Sequence, residues 1–426
     1  MQYRIAYGKK GLPLTLPDDA DVTVIEPRYR DAQSDELAAL TGALRRPIGA
    51  PPLSELCRGA RRVGIIVNDI TRATPNPLIL SAIRAELGGL SDGQITIFNA
   101  TGTHRKNTDV ELETMLGAEN ARRYRIVQND ARDAESHVSV GTTRSGNDIR
   151  ILRELLDCDV KILTGFIEPH FFAGFSGGGK AVMPGVAALE TIMRNHTPSN
   201  LDNPSASWGI IDGNPISEEV REAVGLVPSC FLVNVALNRD KGIVAVFAGD
   251  VVEAHREGCA FVKESAMVPV DRLFDVVITS NSGYPLDLNL YQSVKGMSAA
   301  AQIVKTGGAI IIAAECWDGV PDHGEYGGML RSAHTPAELL ETIRAPHFLR
   351  QDMWQAQLHA VIREKAEIFF YSDRLSEQQI RDAFLSPCPS IEAEVERLRS
   401  QKGRGLSICI LPEGPLTIPY CAAPVA

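Results

Sequence analysis

The residues best suited to chemistry are concentrated between Thr164 and Pro198, in TGFIEPHFFAGFSGGGKAVMPGVAALETIMRNHTP. His170, a glycine run that ends on Lys180, and His196 all fall within this stretch. The apolar run VKILTG that leads into it reads as a buried strand, and the glycines let the backbone turn sharply and approach a ligand closely. GVAALETIMRNH reads as a helix ending near His196, with Val186, Leu189, Ile192 and Met193 at helical spacing. Strand, glycine loop, lysine, helix and histidine together describe a cofactor cradle.

The run GFSGGGK matches the phosphate-loop pattern GxxxxGK, but Ala181 stands where a magnesium-binding Ser or Thr belongs. No later apolar strand supplies the aspartate partner, so a nucleotide hydrolase or kinase would lack a metal ligand. A glycine turn with a solvated lysine explains the run as well as phosphate binding does. Partial burial would also let Lys180 act as a nucleophile. The histidines are more specific. His104, His170 and His196 stand at expected strand or helix ends, whereas His137, His255, His334, His347 and His359 read as structural and His323 as ambiguous. Two imidazoles from different strand ends can face one carbon from opposite sides and donate or accept protons near neutral pH. A third imidazole near the lysine could ligate a metal. Arg72, in NDITRATP, could clamp a carboxylate or phosphate, or form a salt bridge at a helix start. Gln292 and Lys295, in NLYQSVKGM, could reach an anion or cap their helix, and Trp354 reads as core or cleft wall.

These residues need elements to hold them. RRVGIIVND and QITIFNA are near-continuous apolar runs, as in buried parallel strands, and deliver Asp69, Thr71, Arg72 and His104 at their carboxyl ends. Ligands of open α/β sheets bind there. SDELAALTGALRRP reads as a helix with a serine N-cap that stops at Pro47. CFLVNVALN and GIVAVFAGD read as an antiparallel hairpin at a sheet edge. Alternating strands and helices define an α/β fold with helices on both faces of a largely parallel sheet. A chain of 426 residues exceeds one ordinary core. The division expected is an N-terminal cofactor-binding domain over 1–270, completed by 403–426, and a C-terminal α/β domain over 271–402. The terminal run GLSICILPEGPLTIPY is expected to return to the first domain.

A net charge of −10 argues against a nucleic-acid partner. The apolar runs are shorter than a membrane span needs, and the charged start MQYRIAYGKKGLPL suggests a cytoplasmic protein. The eight cysteines contain no CxxC pair and are expected to be reduced thiols without a catalytic role.

DITRATP, TGTHR, EPHFFAGFSGGGK, the helix ending in NHTP, and YQSVKG occur in this order in the lactate racemase family. That is the nickel-dependent group that uses a pincer nucleotide, and the chain resembles it over nearly its whole length. The resemblance implies a racemase or epimerase of 2-hydroxy acids such as lactate, malate, longer hydroxy acids or sugar acids. It implies that Lys180 carries the modified pyridinium mononucleotide through a thioamide and that His196 ligates its nickel. Asp69, Thr71 and Arg72 would bind the phosphate end, Gln292 and Lys295 would contact the cofactor from the second domain, and His104 and His170 would be the acid/base pair. The site would lie in the cleft between two α/β sandwich domains, and the partners would be the substrate and cofactor-maturation enzymes. Ala73 and Thr74 stand where a proline-led continuation is expected after the arginine, a small departure that bears on the pocket. The alternatives are the phosphate-loop enzyme and a non-catalytic small-anion binding protein.

Overall fold

The computed structural model describes residues 1–321, 324–403 and 405–421, so His323 lies outside the described residues. They group into two compact units. One comprises Tyr29–His196 and Asn203–Lys263, and the other comprises Met1–Arg28, Thr197–Asp202 and the chain from Glu264 onward.

The first unit is built on a six-stranded sheet of β1 (Val63–Asn68), β2 (Ile95–Ala100), β3 (Arg125–Gln128), β4 (Val160–Phe166), β5 (Cys230–Leu237) and β6 (Ile243–Gly249). Its order is β6-β5-β4-β1-β2-β3. All neighbours run parallel except the edge pair β5 and β6, the hairpin expected from sequence. Val63, Ile65, Ile66 and Val67 of β1 are buried, as a central strand covered on both faces requires. Leu40 and Leu44 of the Glu36–Arg45 helix, with Ile79 and Ile83 of the Asn76–Glu86 helix, join Ile65, Ile97 and Val233 in one core. From β1 the sheet grows in one direction through β2 and β3, and from β4 in the other through β5. The reversal between β1 and β4 opens the crevice where doubly wound folds bind ligands.

The second unit's sheet holds β7 (Phe274–Ser280), β8 (Val304–Ala313), β9 (Glu367–Tyr371), β10 (Ser386–Pro387) and β11 (Ser407–Leu411). With the Asp21–Val24 strand the order is β10-β9-β8-β7-β11-(Asp21–Val24), parallel throughout. Its reversal lies between β7 and β11, directly before the helix that carries Gln292 and Lys295.

Here the structure corrects the expected division. The terminal run does not return to the first sheet; β11 pairs with β7 and the Asp21–Val24 strand. All five residues of β11 are buried, which demands a neighbour on each side, and the half-exposed Asp21–Val24 strand serves as the edge. The N-terminal 28 residues therefore belong to the second unit. The helix expected over GVAALETIMRNH is also shorter, running only from Leu189 to Asn195. Before it the backbone is committed elsewhere: Leu152 donates to the Val186 carbonyl, and Ala188 donates to that of Arg150. These bonds tie it to an antiparallel hairpin, His137–Thr142 with Asp148–Leu152, that has no clear sequence signature. The N-cap of Glu36–Arg45 is Asp35, which accepts from the Ala38 amide, in place of the expected serine.

Candidate functional site

At the carboxyl end of β1 the chain turns through Asp69, Thr71 and Arg72, with the Arg72 amide donating to the Asp69 carbonyl. Asp69 is buried and both its oxygens are engaged: Oδ1 accepts from the Thr71 hydroxyl at 2.6 Å, and Oδ2 lies 2.7 Å from His104 Nδ1. Burial acts to raise the carboxyl pKa, but the charge and hydrogen bond of His104, with Arg72 and Thr71, outweigh it and hold the group below its ordinary value. The expected residues of β1 and β2 thus meet as a carboxylate–imidazole pair. The His104 side chain stays 31% exposed, which leaves its outer edge accessible. Arg72 Nη1 donates to the Thr71 carbonyl and hydroxyl, and its Nε lies 4.0 Å from Glu168 in the loop after β4. The loops on both sides of the sheet reversal therefore meet.

His170 sits in a tight antiparallel turn, paired with Gly174. The Ala173 amide donates to its Nδ1 at 3.3 Å. Gly174 has φ +76°, and a β-carbon there would lie 2.1 Å from the Ile210 carbonyl oxygen, so no other residue fits the turn. The ring of Phe172 is the feature sequence reasoning missed. It lies 4.5 Å from the His170 ring and 5.0 Å from that of His196, both edge-to-face, and 5.8 Å from Lys180 Nζ. His170, Lys180 and His196 thus share one aromatic wall. Its backbone is fixed by Asn214, whose side-chain amide donates to the Phe172 carbonyl at 2.8 Å.

Lys180 lies in a single 3-10 turn, Gly178–Ala181, and no α-helix follows until α1 (Leu189–Asn195). A phosphate loop needs a helix N-terminus behind its glycines, so the turn lacks that half of the cradle. Two neighbours support it. The Gly178 amide donates to Asn234 Oδ1 at 2.8 Å, and His255 Nε2 meets the Ser176 carbonyl at 2.8 Å. His255, read from sequence as structural, is the turn's underlay, and burial pushes its imidazole down to about 4.

His196 follows α1 and is buried. Burial, with the Lys180 charge nearby, pushes its pKa down to about 3, so it is neutral at physiological pH. Its Nδ1 lies 3.1 Å from the Ile192 carbonyl, which can only accept, so the proton is on Nδ1 and the lone pair on Nε2. A neutral imidazole with a fixed tautomer is the form that binds a metal. Among the described residues no three His, Cys, Asp or Glu side chains gather in a way that could hold a metal ion.

The end of α1 is anchored by a buried carboxylate. Glu219 of α2 (Pro215–Gly225) accepts from Thr143 at 3.0 Å, Ser145, Asn147 at 3.2 Å and Asn195 at 2.8 Å. Glu219→Ala would strand these buried donors, and the apoprotein is expected to lose at least about 3 kcal/mol of stability in chemical denaturation. Glu219→Gln should lose less, because the two hydroxyls can turn to accept. A loss below about 1 kcal/mol for the alanine variant would show that the carboxylate is not an anchor.

Gln292 and Lys295 lie on α4 (Leu290–Ala301; α3 is Val251–Ala266, which carries His255) in the second unit. Neither caps the helix, since Asn289 does so by accepting from the Gln292 amide. Trp354 is buried and donates to the Tyr291 hydroxyl on the same helix at 3.1 Å. His137 and His359 are buried with both ring nitrogens bonded, as structural histidines should be. The cysteines are all free, and burial pushes Cys316 up to about 12, an unreactive thiol. Among the described residues no helix is long and apolar enough to cross a membrane.

Comparisons with known proteins agree along the chain. Residues 7–209 match the family model for the lactate racemase N-terminal domain, and residues 271–418 match that for the lactate racemase C-terminal domain. The lactate racemase of Thermoanaerobacterium thermosaccharolyticum is 35% identical over 419 residues, which cover 96% of this chain and 97% of that protein. The lactate racemase of Lactiplantibacillus plantarum is 35% identical over 415 residues, with the same coverage. The solved lactate racemase apoprotein from T. thermosaccharolyticum superposes with a TM-score of 0.92 at 33% identity, over 98% of this chain and all of that one. A Thermotoga maritima protein at 19% identity and TM-score 0.70, covering 92% of this chain and 99% of its own, shares the fold.

Proposed function

The chain belongs to the lactate racemase family and is an isomerase, and on that premise we propose that it inverts C2 of a 2-hydroxy acid, with lactate the first candidate. The observation that carries this reading furthest is the group around Phe172, where a neutral, tautomer-fixed His196, the Lys180 amine and His170 share one ring.

These residues fit the nickel-pincer nucleotide expected from the resemblance. His196 Nε2 offers one imidazole ligand, which suffices where the ligand set is otherwise carried by the cofactor. Lys180, on a turn held by Asn234 and His255, offers the amine for a covalent link, and Thr71 and Arg72 offer donors for a phosphate end. Gln292 and Lys295 are proposed as further contacts. When bound, the group supplies the hydride acceptor that the polypeptide lacks. The chain's own work is proton transfer and placement: His104 and His170 exchange the hydroxyl proton, and Arg72 provides a fork for a carboxylate or phosphate. The partners on this reading are a small hydroxy acid and the enzymes that make and load the cofactor.

Intact-protein mass spectrometry with nickel analysis tests this on protein coexpressed with the maturation enzymes. An adduct mapped to Lys180 with about one nickel per chain is expected from a single imidazole ligand. A bare polypeptide mass without nickel would overturn the cofactor assignment.

A further inference from the structure

The surroundings of Arg72 decide which anion its fork suits. Its hydrogen bonds run from Nη1 to the Thr71 carbonyl and hydroxyl, at 3.3 and 3.2 Å. The Glu168 carboxylate lies 4.0 Å from Nε, close enough for charge attraction and too far for a hydrogen bond. Among the described residues no hydrogen bond closes the Nε–Nη2 edge, which a carboxylate can take in bidentate fashion. Both side chains are partly buried, so solvent screens their charges incompletely. Glu168 is also held in place. Its amide donates to the Ser176 hydroxyl at 3.0 Å, and its carbonyl accepts from the Ser176 amide at 2.8 Å. Ser176 is buried, and Pro169 and His170 follow at once in the antiparallel turn. The buried Asp69 carboxylate lies within the field of Arg72 as well, so two carboxylates share one guanidinium.

We propose that Glu168 is a specificity-determining residue, a fixed negative charge beside the Arg72 fork that admits monocarboxylic 2-hydroxy acids and rejects dicarboxylic ones. This rests on the reading of the chain as a 2-hydroxy-acid racemase with Arg72 holding the substrate carboxylate, and it narrows the substrate class. A monocarboxylate brings one charge, which the open edge bonds directly while Glu168 repels it from farther away. A second carboxylate on the same molecule finds the fork occupied and meets the repulsion again. Glu168 acts on the bound ligand in ground and transition states alike, so its effect falls on KM and leaves kcat in place. A purely structural salt bridge predicts the opposite sign, because its loss would loosen Arg72 and weaken the binding of every anion.

The test compares lactate with malate, which carries a second carboxylate, on wild-type and Glu168→Gln protein coexpressed with the maturation enzymes. The wild type should have the higher kcat/KM on lactate. Glu168→Gln should lower the KM for lactate by about 2- to 10-fold with kcat little changed. It should raise the malate-to-lactate ratio of kcat/KM by roughly 10- to 100-fold, the range for one neighbouring charge that is incompletely screened. Glu168→Asp, which keeps the charge, should keep the preference for lactate. The same comparison is made on apoprotein labelled with nitrogen-15 arginine, by following the Arg72 Nε signal, assigned with Arg72→Lys, during titration with each acid. There Glu168→Gln should bind both acids more tightly, with the larger gain for malate. A higher lactate KM in Glu168→Gln, an unchanged malate-to-lactate ratio, or an Arg72 signal that responds to neither acid would overturn the proposal. The titration needs neither cofactor nor turnover. It therefore still decides the role of Glu168 if the loaded enzyme racemises neither acid, a result that would sink the functional reading alone.

Discussion

Lys180→Ala protein, coexpressed with the cofactor-making enzymes, should run at the mass of the unmodified polypeptide and show no racemisation. The loss is expected to be complete because a covalent link requires a nucleophilic amine at this position, and no neighbour on the glycine turn offers one. Lys180→Arg sharpens the point. Arginine preserves the positive charge near Phe172 and His196, but its guanidinium stays protonated and does not act as a nucleophile. If the lysine only neutralised a phosphate, the arginine variant would retain much of the activity. If it is the attachment point, both variants are equally dead. Binding of a phosphate by charge alone is already disfavoured by the single 3-10 turn, which leaves no helix N-terminus behind the glycines.

The second large effect concerns the imidazoles. His104→Ala and His170→Ala should each reduce kcat/KM by ~10²–10⁴-fold, the usual cost of losing a positioned acid or base. Both variants should keep the Lys180 adduct and its nickel. Asn234 and His255 bond to the turn, and Glu219 anchors α1. Fold and loading should therefore survive, and the measurement isolates chemistry. Near-normal turnover in either variant would show that this histidine moves no proton in the reaction.

Much of this site was legible in the sequence because its residues sit just past apolar strands. β1, β2 and β4 are continuous apolar runs, and the ends of such strands are where parallel sheets expose loops to ligands. His104 and His170 could thus be placed at strand ends from sequence alone. What could not be read was the pairing between loops. Nothing in NDITRATP and TGTHR says that Asp69 would turn toward the His104 ring, because that contact depends on β1 and β2 lying side by side. Phe172 carried no assignment in the sequence, and only folding brings His170, Lys180 and His196 around it. The helix before His196 was drawn too long because Val186 fits a helical stripe, while its carbonyl is in fact taken by Leu152 of the hairpin. The terminal run was assigned to the wrong sheet for a similar reason. Its apolar pattern declares a buried strand, but no local feature names the partner, and β11 found β7.

The glycines carried more information than the lysine beside them. Gly174 is held by φ and by the Ile210 carbonyl, a tertiary contact that a motif match cannot show. His255 illustrates the reverse. Its sequence context suggested a bland buried ring, and it is buried, yet it supports the turn that carries Lys180.

The measurement that tests the central claim most directly is a chiral assay on nickel-loaded protein, offered single enantiomers of 2-hydroxy acids with lactate first. At least one acid should reach the same racemic mixture from either enantiomer, at a rate that scales with the fraction of chains carrying the Lys180 adduct. Fully loaded protein that leaves every enantiomer unchanged would contradict the assignment.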